Sequence, residues 1–208
     1  MCPARKRESP DALEAVRFDE TYYRRYYLDP KTRVSDDEHH GRLVSGVVGF
    51  VEYFGGELGS VLDVGAGVGR WGDWLRKHRP KTSVVGTELD PEVCAKYGHL
   101  RRDITRWRLK KRFDLVVCQG VLPYLDDDAA GRAIDNLAAM TRGFLYLEAI
   151  TKLDLDEVCD LSRTDQRVHR RSGAWYRRRL APHFRNVGCG LHYKRRGPLE
   201  FFELEAGR

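Results

Sequence analysis

Three acidic side chains lie within or at the ends of three candidate strands. Asp63 lies within Val61-Leu62-Asp63-Val64. Glu88 closes Ser83-Val84-Val85-Gly86-Thr87-Glu88, and Asp103 closes His99-Leu100-Arg101-Arg102-Asp103. After the first run, Gly65-Ala66-Gly67-Val68-Gly69 puts glycine at alternate positions, so the backbone can turn tightly and approach a ligand with no Cβ in the way. In an open parallel sheet, ligands bind at the carboxyl ends of the strands, near the switch in strand order. A carboxylate ending the second strand suits a ribose diol, because it can accept from both hydroxyls. One ending the third can accept from an exocyclic amine such as adenine's.

A dinucleotide is one candidate. Its fingerprint is G-x-G-x-x-G, but Arg70 stands at the third glycine position and Gly69 comes one residue early. Asp63 would also be unfavourable near a pyrophosphate and favours a ligand carrying positive charge. S-adenosylmethionine, with a sulfonium and an ammonium group, is such a ligand.

These residues need a sheet to position them. Val61, Leu62 and Val64 suit a strand covered on both faces. Arg70 to about His78, ending before Pro80, reads as the following helix. Ser83–Glu88 is a second strand, Pro91 starts a helix ending near Tyr97-Gly98, and His99–Asp103 is a short third strand. Phe113–Cys118 is the fourth strand. Asp126-Asp127-Asp128 opens a helix continued by Ile134, Leu137, Ala138 and Met140, and Gly143–Glu148 is the fifth strand. Gly173 to about His183 reads as a helix, then Asn186–Tyr193 and Leu199–Glu205 as a final antiparallel pair. The expected fold is α/β: a Rossmann-like, mostly parallel seven-stranded sheet with an antiparallel carboxyl-terminal strand and helices on both faces.

Before the sheet, residues 1 to about 17 are polar and expected to be loose. Tyr22, Tyr23, Tyr26 and Tyr27 would share one face of a helix ended by Asp29-Pro30; they either dock aromatics on the domain or form a lid. Ser35–Glu38 starts a helix that runs to about Phe54, burying Leu43, Val44, Val47, Val48 and Val51, before Gly55-Gly56 stops it. Adjacent His39 and His40 point about 100° apart on a helix, a poor metal pair, and read as surface residues. The chain divides into a helical cap or lid, residues 1–58, and a ligand-binding domain, residues 59–208.

Five cysteines lack CxxC spacing, so neither a zinc site nor a disulfide framework is indicated, and no metal is expected. No run of about 18 apolar residues suggests a membrane span, and no secretory signal pattern follows the basic start. A reducing cytoplasm is the expected location. Net charge is +6, but Arg163–Arg196 carries eleven basic residues against Asp165, and Arg101–Arg112 seven against Asp103. Such stretches form solvated faces or attract an anionic substrate or nucleic acid.

Val61–Gly69 resembles the first motif of class I S-adenosylmethionine-dependent methyltransferases. Val85-Gly86-Thr87-Glu88-Leu89-Asp90 resembles their second motif, Arg102-Asp103-Ile104 the adenine-side motif and Phe113–Val117 the fourth-strand motif, in the family's order and spacing. The resemblance implies a methyltransferase that uses S-adenosylmethionine and releases S-adenosylhomocysteine. Gly65 and Gly67 would lie against the methionine moiety, Glu88 at the ribose and Asp103 at adenine, with Ala66, Leu89, Ile104 and Gln119 completing the cofactor contacts. Asp114, at the start of its strand, reads as structural. Tyr124 is expected to shape the acceptor site and His169 to act as base. The run Cys118–Tyr124 lacks an Asn-Pro-Pro-Tyr-like motif, which favours a small-molecule acceptor. The basic carboxyl-terminal stretch makes that acceptor anionic in this reading. RNA or protein as acceptor, and a non-catalytic binding protein of the same fold, are the alternatives; oligomeric state stays open.

Overall fold

The computed structural model describes residues 18–206, so the expected loose start lies outside the described residues. Seven strands form one sheet: β1 (Ser60–Val64), β2 (Ser83–Glu88), β3 (Leu100–Arg101), β4 (Phe113–Gln119), β5 (Thr141–Glu148), β6 (Phe184–Gly188) and β7 (Leu191–Lys194). Their order is β3-β2-β1-β4-β5-β7-β6. All neighbours from β3 to β5 pair in parallel, while β7 is antiparallel to both β5 and β6. Strand order reverses between β1 and β4, which opens a crevice at their carboxyl ends.

Helices cover both faces: α1 (Glu20–Tyr23), α2 (Asp37–Tyr53), α3 (Arg70–His78), α4 (Pro91–Tyr97), α5 (Asp127–Met140), α6 (Lys152–Glu157) and α7 (Gly173–Leu180). The alternation along each strand sorts the core. Val61, Leu115, Val117, Phe144 and Tyr146 pack with Val44, Val47, Val48 and Val51 of α2 and Trp71 and Leu75 of α3. Leu62, Val64, Val116, Cys118 and Leu145 pack with Ile134 and Leu137 of α5 and Tyr176 and Leu180 of α7. Both faces of β1 and β4 are therefore dry, as their near-continuous apolar sequence requires.

Helix starts follow the sequence signals. Asp36, Asp90, Asp126 and Ser172 each accept a backbone N–H from the first turn of α2, α4, α5 and α7. Asp114, structural as expected, accepts from Ser60 N–H and Oγ–H at 2.9 Å each and from Arg142 Nε at 2.9 Å, which ties β1, β4 and β5 together at the end away from the crevice.

The carboxyl-terminal strands differ from the sequence expectation. The run Asn186–Tyr193 is not one strand but parts of β6 and β7 with the reversal between them. Gly188, Cys189 and Gly190 all have positive φ (101°, 48° and 76°) and turn the chain there. Leu199–Glu205 is not a strand; Leu199 and Phe201 pack against the α2-side core instead. The third strand shrinks to Leu100–Arg101, because Asp103 turns the chain by accepting from Thr105 N–H and Oγ–H. The tyrosine segment is one α-turn followed by a π-helix, Arg24–Leu28. The last helix stops at Leu180 rather than near His183.

Candidate active site

Two cavities flank the glycine loop at the carboxyl end of the sheet. One is lined by Glu88, Leu89, Asp103 and Ile104 together with Gly65, Gln119 and Tyr124. The other, a chamber on the α2 face, is lined by Asp63, Gly65, Ala66, Gly67, Gln119 and Tyr124 and reaches His40, Trp71 and Glu148. Every expected cofactor residue thus borders one cavity or both. His169 borders neither; its N–H donates to the Pro123 carbonyl at 2.8 Å, and its neighbour Val168 is the chamber-facing residue.

The loop is built for close approach. Gly65 (φ +71°) would bring a Cβ within 2.3 Å of Val121 Cγ2, and Gly67 (φ +53°) within 2.8 Å of Tyr23 Cε1. Gly65 and Ala66 N–H both donate to the Thr87 carbonyl at 2.9 Å, anchoring the loop to β2, and His99 Nε2 lies 3.1 Å from Gly67 O. Arg70, standing where a dinucleotide loop would have glycine, reaches Tyr27 O at 2.6 Å, Ser35 O at 3.3 Å and Asp37 Oδ1 at 3.1 Å. It clamps the tyrosine segment and the start of α2 onto α3.

Asp63 is 3% exposed, and no donor among the described residues reaches its carboxylate. Burial, and secondarily Glu88, pushes its carboxyl up to about 7. A buried carboxylate without a partner is costly unless a cation meets it. Glu88, 5% exposed, accepts from Leu89 N–H at Oε1 (2.6 Å) and from Gly67 N–H (3.1 Å) and Tyr23 O–H (2.9 Å) at Oε2. Asp103 Oδ1 is used by Thr105, while Oδ2 has only a 3.8 Å contact to Arg106 Nε.

The tyrosines roof the loop. Tyr22 and Tyr23 are buried, Tyr22 Oη lies 2.7 Å from Tyr124 Oη, and the rings of Phe18, Tyr22, Tyr23, Tyr26, Tyr27 and Tyr124 meet edge-on or tilted. Burial raises the Tyr124 phenol well above its ordinary range.

Three site residues were not singled out by sequence reasoning as ligands. His40, expected at the surface, is 8% exposed, because α2 turns it toward Trp71 and Gln119, while His39 stays solvent-exposed although it too lines the chamber. Trp71 Nε1 donates to Gln119 Oε1 at 2.8 Å. Glu148 is the register partner of Gln119, on the same face as Asp63. The period-2 alternation carries that signal: Asp63, Gln119 and Glu148 continue the α2-facing rows of β1, β4 and β5. No helix among the described residues is long and apolar enough to cross a membrane, and no group of three or more His, Cys, Asp or Glu among them is placed to hold a metal.

Residues 62–142 match the family described as methyltransferase domain. The comparison with curated protein sequences gives no match. Among solved structures, the magnesium protoporphyrin IX methyltransferase of Synechocystis PCC 6803 with bound S-adenosylmethionine is similar (TM-score 0.58, 18% identity), over 89% of this chain and 90% of that one. So is the plantazolicin methyltransferase in complex with S-adenosylhomocysteine (TM-score 0.60, 14% identity), over 83% of this chain and 74% of that one. A methyltransferase from Clostridium acetobutylicum ATCC 824 aligns over 66% of this chain and 58% of its own (TM-score 0.52, 16% identity). At these identities the likeness is one of fold. Residues 62–142 thus match a methyltransferase domain, and the chain as a whole has the fold of S-adenosylmethionine-dependent methyltransferases.

Proposed function

We propose that the protein transfers a methyl group from S-adenosylmethionine to a small-molecule acceptor held under the tyrosine segment. The observation that carries this is Asp63, a buried carboxylate with no donor among the described residues, bordering the chamber beside the glycine loop. It calls for a cation, and the cofactor brings an ammonium beside its sulfonium. Glu88 would take the ribose diol, Asp103 through Oδ2 the adenine amine, Leu89 and Ile104 the base faces, and Gly65, Ala66 and Gly67 the methionine backbone.

When bound, the cofactor supplies an electrophilic methyl group on a good leaving group. The chain's contribution is then mainly position and exclusion of water. Gln119 and Tyr124 border both cavities and so sit at their junction. They would align the acceptor with the methyl, while the aromatic roof keeps solvent out. His169 is placed for this only through its backbone, so proton removal falls to groups in the chamber or to water.

Residues 1–58 would serve as the cap and residues 59–208 as the cofactor-binding domain of the proposed enzyme. A small acceptor is favoured by the enclosure, since the chamber is covered by Tyr22, Tyr26 and Tyr27. Calorimetry with S-adenosylhomocysteine tests the reading. Binding should be measurable, and Glu88→Ala should weaken it about tenfold or more, the loss of hydrogen bonds to a charged acceptor. No binding of either cofactor form to the intact protein would overturn it.

A further inference from the structure

The charges around the chamber do not balance. Arg70, the arginine of its lining, is 12% exposed and is taken up by Asp37 and by the Tyr27 and Ser35 carbonyls. Asp165 is matched by Arg167, Nε to Oδ1 at 2.9 Å and Nη2 to Oδ2 at 3.1 Å. That leaves Asp63 and Glu148 without a basic partner among the described residues. The reading above gives Asp63 the cofactor's ammonium, and this inference rests on that reading. Glu148 is left over.

Its orientation is fixed. Oε2 accepts from Gln119 Nε2 and Tyr146 O–H, each at 3.1 Å, whereas Oε1 has no hydrogen bond among the described residues. Gln119 cannot flip, because its Oε1 accepts from Trp71 Nε1, a group that only donates. His40 Nε2 lies 3.3 Å from that same oxygen and so carries the hydrogen. Burial lowers the tendency of the His40 ring to protonate, so it adds no positive charge at neutral pH.

Aromatic faces complete the enclosure. Tyr22, Tyr26, Tyr27 and Tyr124 border the chamber, and ring faces attract cations. Burial, then Glu148 and Glu88, push the Tyr27 phenol up to about 12, so it stays neutral. The basic stretch 163–196 sends only Thr164, Asp165 and Val168 to the lining. A chain of net charge +6 therefore lines this chamber with carboxylates and aromatic rings, Glu148 on its solvent-exposed side, the opposite of what its overall charge would draw.

We propose that the acceptor is an amine, docked as its ammonium against Glu148 Oε1 and the tyrosine faces and methylated on nitrogen. The docked nitrogen gives one proton to solvent and uses the freed lone pair to bond the methyl carbon. The carbon–sulfur pair returns to sulfur, so positive charge passes from sulfonium to the methylated nitrogen, which leaves as a new ammonium.

Three probes with one skeleton test this on the full chain loaded with S-adenosylhomocysteine: benzylamine, benzyl alcohol and benzoate, titrated by ligand-observed NMR at pH 7. Benzylamine should saturate with a dissociation constant about tenfold below those of the other two, as a charge-assisted contact gives. Glu148→Gln should raise it to that of the alcohol. Equal or tighter binding of benzoate or the alcohol, no saturation by benzylamine, or indifference to Glu148→Gln would each overturn the proposal. Circular dichroism checks that the variant folds; if it does not, the ranking on the wild-type protein decides alone. Failure of S-adenosylhomocysteine itself to bind would strike the methyl-transfer reading, whereas its binding without the ranking strikes only the amine.

Discussion

The Tyr23 hydroxyl donates to Glu88 Oε2 at 2.9 Å, the same oxygen that Gly67 N–H reaches at 3.1 Å. With Leu89 N–H on Oε1 at 2.6 Å, three of about four acceptor positions of this carboxylate are in use. A ribose diol needs two. On the proposed reading of Glu88 as the ribose site, the phenol and the ligand would compete for it.

Tyr23→Phe removes the competitor and keeps the ring against Gly67. Calorimetry should find S-adenosylhomocysteine bound about three- to tenfold tighter, a fraction of what a hydrogen bond to a charged group is worth. Weaker binding would instead make the hydroxyl a partner of the ligand.

Asp63 predicts a pH effect on the ligand-free protein. Its carboxyl is raised from an ordinary 3.8 to about 7 in the fold. Between those values the folded state holds a proton that the unfolded state has released, so stability falls as pH rises through this window and stays reduced above it. Asp63→Asn should stabilise the ligand-free protein by about 1–3 kcal/mol at pH 8. The gain should shrink toward pH 4, as followed by thermal unfolding. The same variant should bind S-adenosylhomocysteine at least about tenfold more weakly. A melting difference that does not change with pH would exclude the raised carboxyl as its cause.

Gly67→Ala meets Tyr23 Cε1 at 2.8 Å and holds a φ of +53°. It should cost about 1–2 kcal/mol in urea unfolding. The tyrosine segment should also be displaced, so that limited proteolysis cuts within residues 24–34 faster than in wild type. Unchanged protection of that segment would mean that the roof does not rest on this glycine.

Asp114→Ala leaves Ser60 N–H and Arg142 without their acceptor at the far end of the sheet. The expected loss is about 1–3 kcal/mol, the cost of leaving the buried Ser60 donors unmet, since Arg142 is 59% exposed and meets water. Cofactor affinity should stay within about twofold of wild type. Denaturation and calorimetry on the same preparation separate the two effects.

The cofactor half of the site was legible because it is local in sequence. Asp63 and the glycine loop belong to the run that became β1 and Glu88 closes the run that became β2, both within a residue or so of their expected limits, while the run ending at Asp103 shortened to β3. What stayed hidden depends on long-range packing. His40 is 79 residues from Gln119, and only the seating of α2 on the sheet brings them to 3.3 Å. Adjacent His39 and His40 look alike in sequence; the helix face alone separates an exposed ring from a buried one. The last strands were misread because Val187 and Leu191 suggested one continuous apolar run across Gly188-Cys189-Gly190, where three positive φ angles reverse the chain. The carboxylates of the chamber could not be seen from net charge, since no arginine of 163–196 lines it and Arg167 is taken up by Asp165.

The tyrosine roof is joined to the rest by ring contacts, by Arg70, by the Glu20–Lys96 ion pair and by the hydroxyls of Tyr22 on Tyr124 and Tyr23 on Glu88, without one strand of the sheet in it. Floor and roof are thus separable units. Exchanging residues 18–34 for other aromatic or aliphatic sequences offers a route to retarget the acceptor while the cofactor floor, with Asp63 and its glycine loop, is left untouched. A library over those positions that keeps Tyr23, which touches Glu88 and Gly67, would vary the roof over a constant floor.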